Sequence, residues 1–327
     1  MDNTAVSAFT LGKFFCVDGK QLQQQYKDHI SDYRSWDQRE HASDWILYEA
    51  NCGKQLSIDE TSLSNGELFT ILTNKAAKGG KGALVAMIRG TSVDQITAVL
   101  EKIPESVRRR VEEVTLDMAG AMKSAATRMF PKASLVIDRF HVQQLAFDAV
   151  QELRIHYRWE ALEAESMAIE MCKANKFPYE PTLLRNGDSL KQLLARSRHL
   201  LFKQKAKWTP SQQARAELLF ELYPDLETAY DLARGLGDIY NSGKDKMVAF
   251  KKLALWFNAV EDSGISSFRT VSRSVQNHYL EILNFFTNRS TNAAAESFNA
   301  KVKAFRSIFR GVREIEFFIY RLTKLYA

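Results

Sequence analysis

The chain has 327 residues, 45% of them hydrophobic and 26% charged, with only 6 Pro and 15 Gly, a composition that excludes a disordered or low-complexity protein and allows one large domain or a core with a sizeable insertion. Its cysteines, Cys16, Cys52 and Cys172, stand far apart and in no CxxC pattern, which argues against a disulfide framework or zinc knuckle and predicts free thiols in a reducing cytoplasm. The net charge of +6 is unevenly placed: Arg196, Arg198, Lys203, Lys205 and Lys207 form one acid-free cluster and Lys301, Lys303, Arg306, Arg310 and Arg313 another, a pattern that suits a polyanion such as DNA, with solvated helix faces as the alternative.

Residues 1–15, MDNTAVSAFTLGKFF, lack the basic start and continuous apolar core of a secretion signal. No apolar run approaches the ~20 residues of a membrane span, so a soluble intracellular protein is expected. Residues 21–48 read as two polar, aromatic-bearing helices without zinc ligands or a helix-turn-helix, a brace rather than a DNA reader.

From Gln55 the period changes. LSID at 56–59 alternates, ELFTILT at 67–73 is β-rich, and GALVAMI at 82–88 is nearly all apolar. Asn65-Gly66 and the Lys-Gly cluster at 75–82 are turn signals, so three antiparallel strands are predicted. Ser92 and Gln95 form a capping box for a helix that Pro104 interrupts; a strand at 114–117, a helix at 119–130 and a strand at 134–138 follow, giving the order βββαβαβ. Everything after His141 reads as helix, including a capping box at 209–212 and apolar periodicity over 246–260 and 268–286. The chain is therefore predicted to be of the α+β (mixed α/β) class, with a small mixed sheet joined to a helical body.

Asp59 and Asp117 are each expected at the end of an apolar strand. Carboxylates delivered there from adjacent strands can share Mg²⁺, which prefers oxygen ligands; an ordinary turn aspartate is the competing reading of either one. On the late helix at 292–306, Ala295, Phe298, Val302 and Phe305 form the apolar face, while Glu296, Asn299 and Lys303 gather an acid, an amide and a cation on another. The tetrapeptide DRFH, from Asp138 to His141, puts an acid and an imidazole about one turn apart at a strand-to-helix junction, as metal ligands or as a structural pair. GxSxG, GxGxxG and Walker A patterns are absent, which removes the common hydrolase and nucleotide-binding readings.

The segments LSIDETSL, VTLDMAGAMKSAATRMFPKASLVIDRFHV and STNAAAESFNAKVKAFRSIFRG, in this order, resemble the DDE transposases of the ISL-three insertion-sequence family, from about Gln55 to the C-terminus. The resemblance implies an RNase H-like core interrupted by an all-α insertion before the last catalytic helix: an N-terminal helical segment at 1–53, core at 54–141, insertion at 142–287 and C-terminal helices at 288–327. It assigns Asp59, Asp117 and Glu296 as the catalytic, metal-binding acids for Mg²⁺, with Mn²⁺ as a substitute. Asp138, His141 and Asn299 support them, because in that fold the strand before Asp117 delivers the second ligand and DRFH lies one strand later.

The implied activity is metal-dependent cleavage and strand transfer on DNA, with Arg196, Arg198, Lys203, Lys205, Lys207, Lys301, Lys303 and Arg306 as phosphate contacts. A structure-specific nuclease of the same fold, or a catalytically silent DNA-binding or assembly protein, are the alternatives. The implied partners are transposon ends and target DNA and a second copy of the chain in at least a dimer; residues 21–48 depart from the family in having no DNA-reading module, which suggests either a separate subunit that reads the DNA ends or a shortened copy. The implied location is the nucleoid of a prokaryotic cytoplasm, with no membrane association.

Overall fold

A computed structural model describes residues 1–63, 66–241, 243, 245–309, 312 and 314–327. The turn residue Asn65 and the basic residues Arg310 and Arg313 lie outside them. The fold is mixed α/β, and the chain divides into one unit of residues 1–138 and 289–327 and a second of residues 139–288.

The first unit opens with α1 (Ala8–Phe15) and α2 (Gly19–Gln25), then short helical turns and β1 (Trp45–Leu47). Of the two helices expected over 21–48, the first forms as α2 and a helical turn that runs on to Ile30, while the second is replaced by short turns and a strand. β1 is held by antiparallel pairing to a strand 40 residues later, Trp45↔Ile88 to Leu47↔Ala86, a long-range contact that local periodicity does not reveal.

The βββαβαβ order follows as β2 (Gln55–Ser62), β3 (Leu68–Asn74), β4 (Leu84–Arg89), α3 (Val93–Leu100), the single turn α4 (Glu105–Arg108), β5 (Glu113–Leu116), α5 (Gly120–Met129) and β6 (Ser134–Ile137). The Ser92–Gln95 capping box forms as expected. The sheet order is β1-β4-β3-β2-β5-β6, antiparallel on the hairpin side and parallel from β2 through β5 to β6. Strand β2 does not end at Asp59: β3 pairs with it as far as Ser62↔Leu68 and carries it onward.

The second unit contains α6 (Arg139–Ala174), α7 (Leu190–Arg196), α8 (Pro210–Leu222), α9 (Pro224–Asn241), α10 (Lys246–Ser263), α11 (Ser266–Asn277) and α12 (Tyr279–Asn288), and no strand among its described residues. The capping box at Thr209 and Gln212 starts α8 with Pro210 at its first position. None of the helices is long and apolar enough to cross a membrane among the described residues.

The chain then completes the first unit with α13 (Ala293–Ile308) and α14 (Ile315–Tyr326). Phe298, Val302 and Phe305 of α13 and Phe318, Ile319 and Leu322 of α14 form one core with Ile46, Phe69, Ile71, Leu84 and Met87 of the sheet. Burial of these side chains is the main force holding both helices on that face. On α14, Phe317 and Tyr320 pack against Tyr26 and Tyr33 of the N-terminal segment.

Asp32 accepts hydrogen bonds from Lys324 and from Tyr320. The bond from Lys324, then that from Tyr320, hold its carboxyl below the usual aspartate range. A depressed native pKa adds stability that is present above the ordinary aspartate pKa and lost as pH falls through the native value. Asp32→Asn is therefore expected to cost up to about 1 kcal/mol near neutrality. The difference should vanish in acid, which denaturant melts at neutral and acid pH check.

Candidate active site on the acid face of the sheet

The parallel pairing of β2 and β5 aligns Ser57 with Thr115. Asp59 and Asp117 each follow two residues on, so alternation returns both side chains to the same face. Neighbouring strands run about 4.8 Å apart, which makes the two acids lateral neighbours although 58 positions separate them in the sequence. The next pair, Leu116↔Ile137, carries the row one strand further, and the Asp138 N–H donates to the Leu116 carbonyl at 3.1 Å. Asp59, Asp117 and Asp138 thus form a row across three parallel strands, on the face that Ile71 shares with α13.

Their surroundings differ. Asp138 is 2% exposed, whereas Asp59 and Asp117 are half-buried. Asp117 Oδ1 accepts the Ala119 N–H at 2.7 Å, which orders the turn into α5. Asp59 Oδ1 accepts the Glu60 N–H at 2.8 Å, and Oδ2 accepts Asn299 Nδ2 from α13 at 2.7 Å. Glu60, for which the sequence carries no site signal of its own, has its carboxyl pushed upward by burial first and then by the charges of Asp117 and Asp59. Negative charge is concentrated here.

On α13, Asn299 is 8% exposed and turned to Asp59, apart from Glu296 and Lys303, with which its spacing groups it. Glu296 lies one turn earlier, in the first turn of the helix, and is exposed, as is Lys303. Among the described residues no three His, Cys, Asp or Glu side chains are gathered to hold a metal ion, so Glu296 does not close a three-carboxylate cage with Asp59 and Asp117. The donor chemistry still fits a hard divalent cation: two adjacent carboxylates, and beside Asp59 the buried Asn299 Oδ1, which has no hydrogen-bond partner among the described residues. An orphaned amide oxygen next to a carboxylate is an oxygen donor awaiting a positive partner.

His141 lies near the start of α6 in the second unit, partly buried, with its ring edge-on to Phe140. The basic residues divide similarly. In the second unit Arg196 pairs with Asp188, a carboxylate 1% exposed that also takes Arg215 at 3.1 Å. Lys205 lies 3.2 Å from both Glu227 and Asp231, and Lys203 reaches Gln212 at 3.3 Å. Arg198 and Lys207 are exposed, with no ion pair among the described residues. In the first unit Lys301 donates to the Gly79 carbonyl at 2.6 Å and Arg306 to the Ser62 carbonyl at 3.2 Å.

A buried network behind the acid row had no signal in the sequence beyond the charged residue that opens β5. Lys75 Nζ contacts Glu113 at 3.1 Å and the Thr115 hydroxyl at 2.8 Å, and both Lys75 and Glu113 also bond Ser290. Lys75 read as part of a turn, because only the sheet and the chain's return before α13 bring its partners together.

The fold and site define a class: a mixed α/β protein, consistent with an RNase H-like core, with acids aligned at adjacent parallel strands and a late helix on the same face. The DDE-type family of the ISL-three insertion sequences, described as Transposase, matches residues 56–322 of this chain. The chain belongs to that transposase family, and its substrate is DNA. No curated protein and no solved structure matches it.

Proposed function

We propose that this transposase cuts DNA at the ends of a mobile element and joins the freed 3′-hydroxyl to target DNA at one site formed by Asp59, Asp117 and Glu296. The observation that carries the reading is the β2–β5 register, which sets Asp59 beside Asp117, together with the Asn299 amide that α13 extends to Asp59. Asp59 and Asp117 would hold Mg²⁺ or Mn²⁺, and Glu296, which is not gathered with them among the described residues, is proposed as the third acid; the ion when bound would supply Lewis-acid stabilisation of the entering and leaving oxygens in an in-line displacement.

The chain's own residues do the rest. Asn299 fixes the Asp59 carboxylate through Oδ2, leaving the group little freedom to rotate. The backbone N–H of Ala119 fixes Asp117 in the same way. Asp138, buried at the end of the row, supports it, and His141 is assigned a supporting part at the start of α6. Exposed Lys303, Arg198 and Lys207 are the phosphate contacts best suited to hold a DNA backbone without reading sequence, while Lys301, Arg306, Arg196 and Lys205 already serve the protein's own structure.

In this reading the core at 54–141 and 288–327 carries the chemistry, and the insertion at 142–287 carries flanking DNA. A second copy of the chain and a DNA-end-reading subunit complete the assembly, which acts at the nucleoid of a prokaryotic cell.

The test uses a labelled element end and a supercoiled plasmid in Mg²⁺. A transposase yields the label joined covalently to the plasmid; cut ends without joined product would assign a nuclease instead. A chelator is expected to stop both steps while DNA retention persists, and retention should weaken steeply with salt.

A further inference from the structure

We infer that the connection between β3 and β4 is a positioning bracket for α13, the helix that carries Glu296 and Asn299; the inference rests on the transposase reading of that helix. Apolar burial of Phe298, Val302 and Phe305 holds α13 against the sheet, but such contact is non-directional and does not by itself set how far the helix slides or turns. Directional, buried polar bonds do. Two of them come from this one connection, and they fall on either side of the functional residues.

At its base, Lys75 reaches Ser290, which lies just before α13, and the same ammonium contacts Glu113 and Thr115 of β5. Thr115 is two residues before Asp117, so one buried cation joins the strand that delivers an acid to the segment that launches the helix. Arg289, immediately before Ser290, adopts the left-handed conformation at φ 51°, which a side chain of this kind holds when its surroundings over-determine it. At the tip, Lys301 of α13 donates to the Gly79 carbonyl at 2.6 Å. Gly79 has φ 69°, a left-handed conformation that strains any side chain, so an alanine there disturbs the backbone whose carbonyl Lys301 bonds, although its Cβ would meet Lys301 Nζ, the Ala294 carbonyl and Ser297 Oγ only at ordinary contact distances of 3.4–3.7 Å. Ser290 and Lys301 bound the stretch that contains Glu296 and Asn299.

Lys75 and Glu113 are too deeply paired for a first test, so Ser290→Ala and Gly79→Ala are the variants, in the full chain, with Ser290→Thr as the conservative rescue. Amide hydrogen exchange over residues 293–300 is expected to quicken about tenfold or more in both, while β2 and β5 keep their protection. Single-turnover cleavage should fall about tenfold or more with DNA retention within about twofold, since a small misplacement of a reacting group is costly. Ser290→Thr should restore both. Unchanged exchange in both alanine variants would overturn the bracket, and so would an equal loss of protection across the sheet, which marks a purely structural pair. If the unaltered chain fails to cut DNA, the catalytic reading falls by itself, and the exchange comparison alone upholds or overturns the bracket.

Discussion

Asp117→Asn is expected to abolish strand cleavage, lowering the single-turnover rate by on the order of 10³ or more, with DNA retention within about twofold at the same salt. This is the cleanest of the acid substitutions. Asp117 accepts the Ala119 N–H at Oδ1, a bond that an asparagine oxygen can also accept, so the turn into α5 survives while the charge is lost. Asp59→Asn should be as damaging but is harder to interpret, because Asp59 uses both oxygens as acceptors, for Glu60 N–H and Asn299 Nδ2, and an amide has only one. Asp138→Asn should slow the reaction less and act mainly through stability, since that carboxyl is buried. Cleavage of a labelled element end, measured beside gel retention, decides the matter; wild-type cutting by Asp117→Asn would remove Asp117 from the site.

Lys75→Met should cost about 3–5 kcal/mol of stability, the penalty for taking the cation from a buried carboxylate that keeps the Ser290 hydroxyl. The side chains of Lys75 and Glu113 are 11% and 3% exposed. Removing both charges, in Lys75→Met with Glu113→Gln, should cost less than the single change, and urea unfolding of the two singles and the double gives the coupling directly. The neighbouring residue supplies the control. Glu112 pairs with Lys54 at 2.7 Å, but these side chains are 62% and 72% exposed, and Lys54→Met should change stability by no more than about 1 kcal/mol. Equal costs for Lys54→Met and Lys75→Met would contradict the view that burial, rather than the ion pair as such, makes the Lys75 network important.

Much of this was readable from residue order. The alternation and apolar runs after Gln55, the capping boxes at Ser92 and Thr209, and the helical periods after His141 are local signals, and the elements form where those signals lie. β1 was missed because three residues, WIL, have too short a period to register; pairing with β4 makes them a strand. Strand β2 was expected to stop at Asp59 and runs on to Ser62 because β3 supplies partners there. Asn299 stands by spacing with Glu296 and Lys303, and the resemblance makes it a support of the acids; that its partner is Asp59 follows only from how α13 seats on the sheet.

The order of acids and the motif around Asp138 were enough to reach the transposase family, because family membership is written in sequence and residues 56–322 match it. What only the tertiary structure decided is adjacency. Whether Asp59 meets Asp117, whether Asp138 joins their row, and whether Lys75 reaches from its turn to Glu113 and Thr115 all depend on which strands pair and in what register. Those pairings join residues tens to hundreds of positions apart, and long-range burial selects them where local preference is silent.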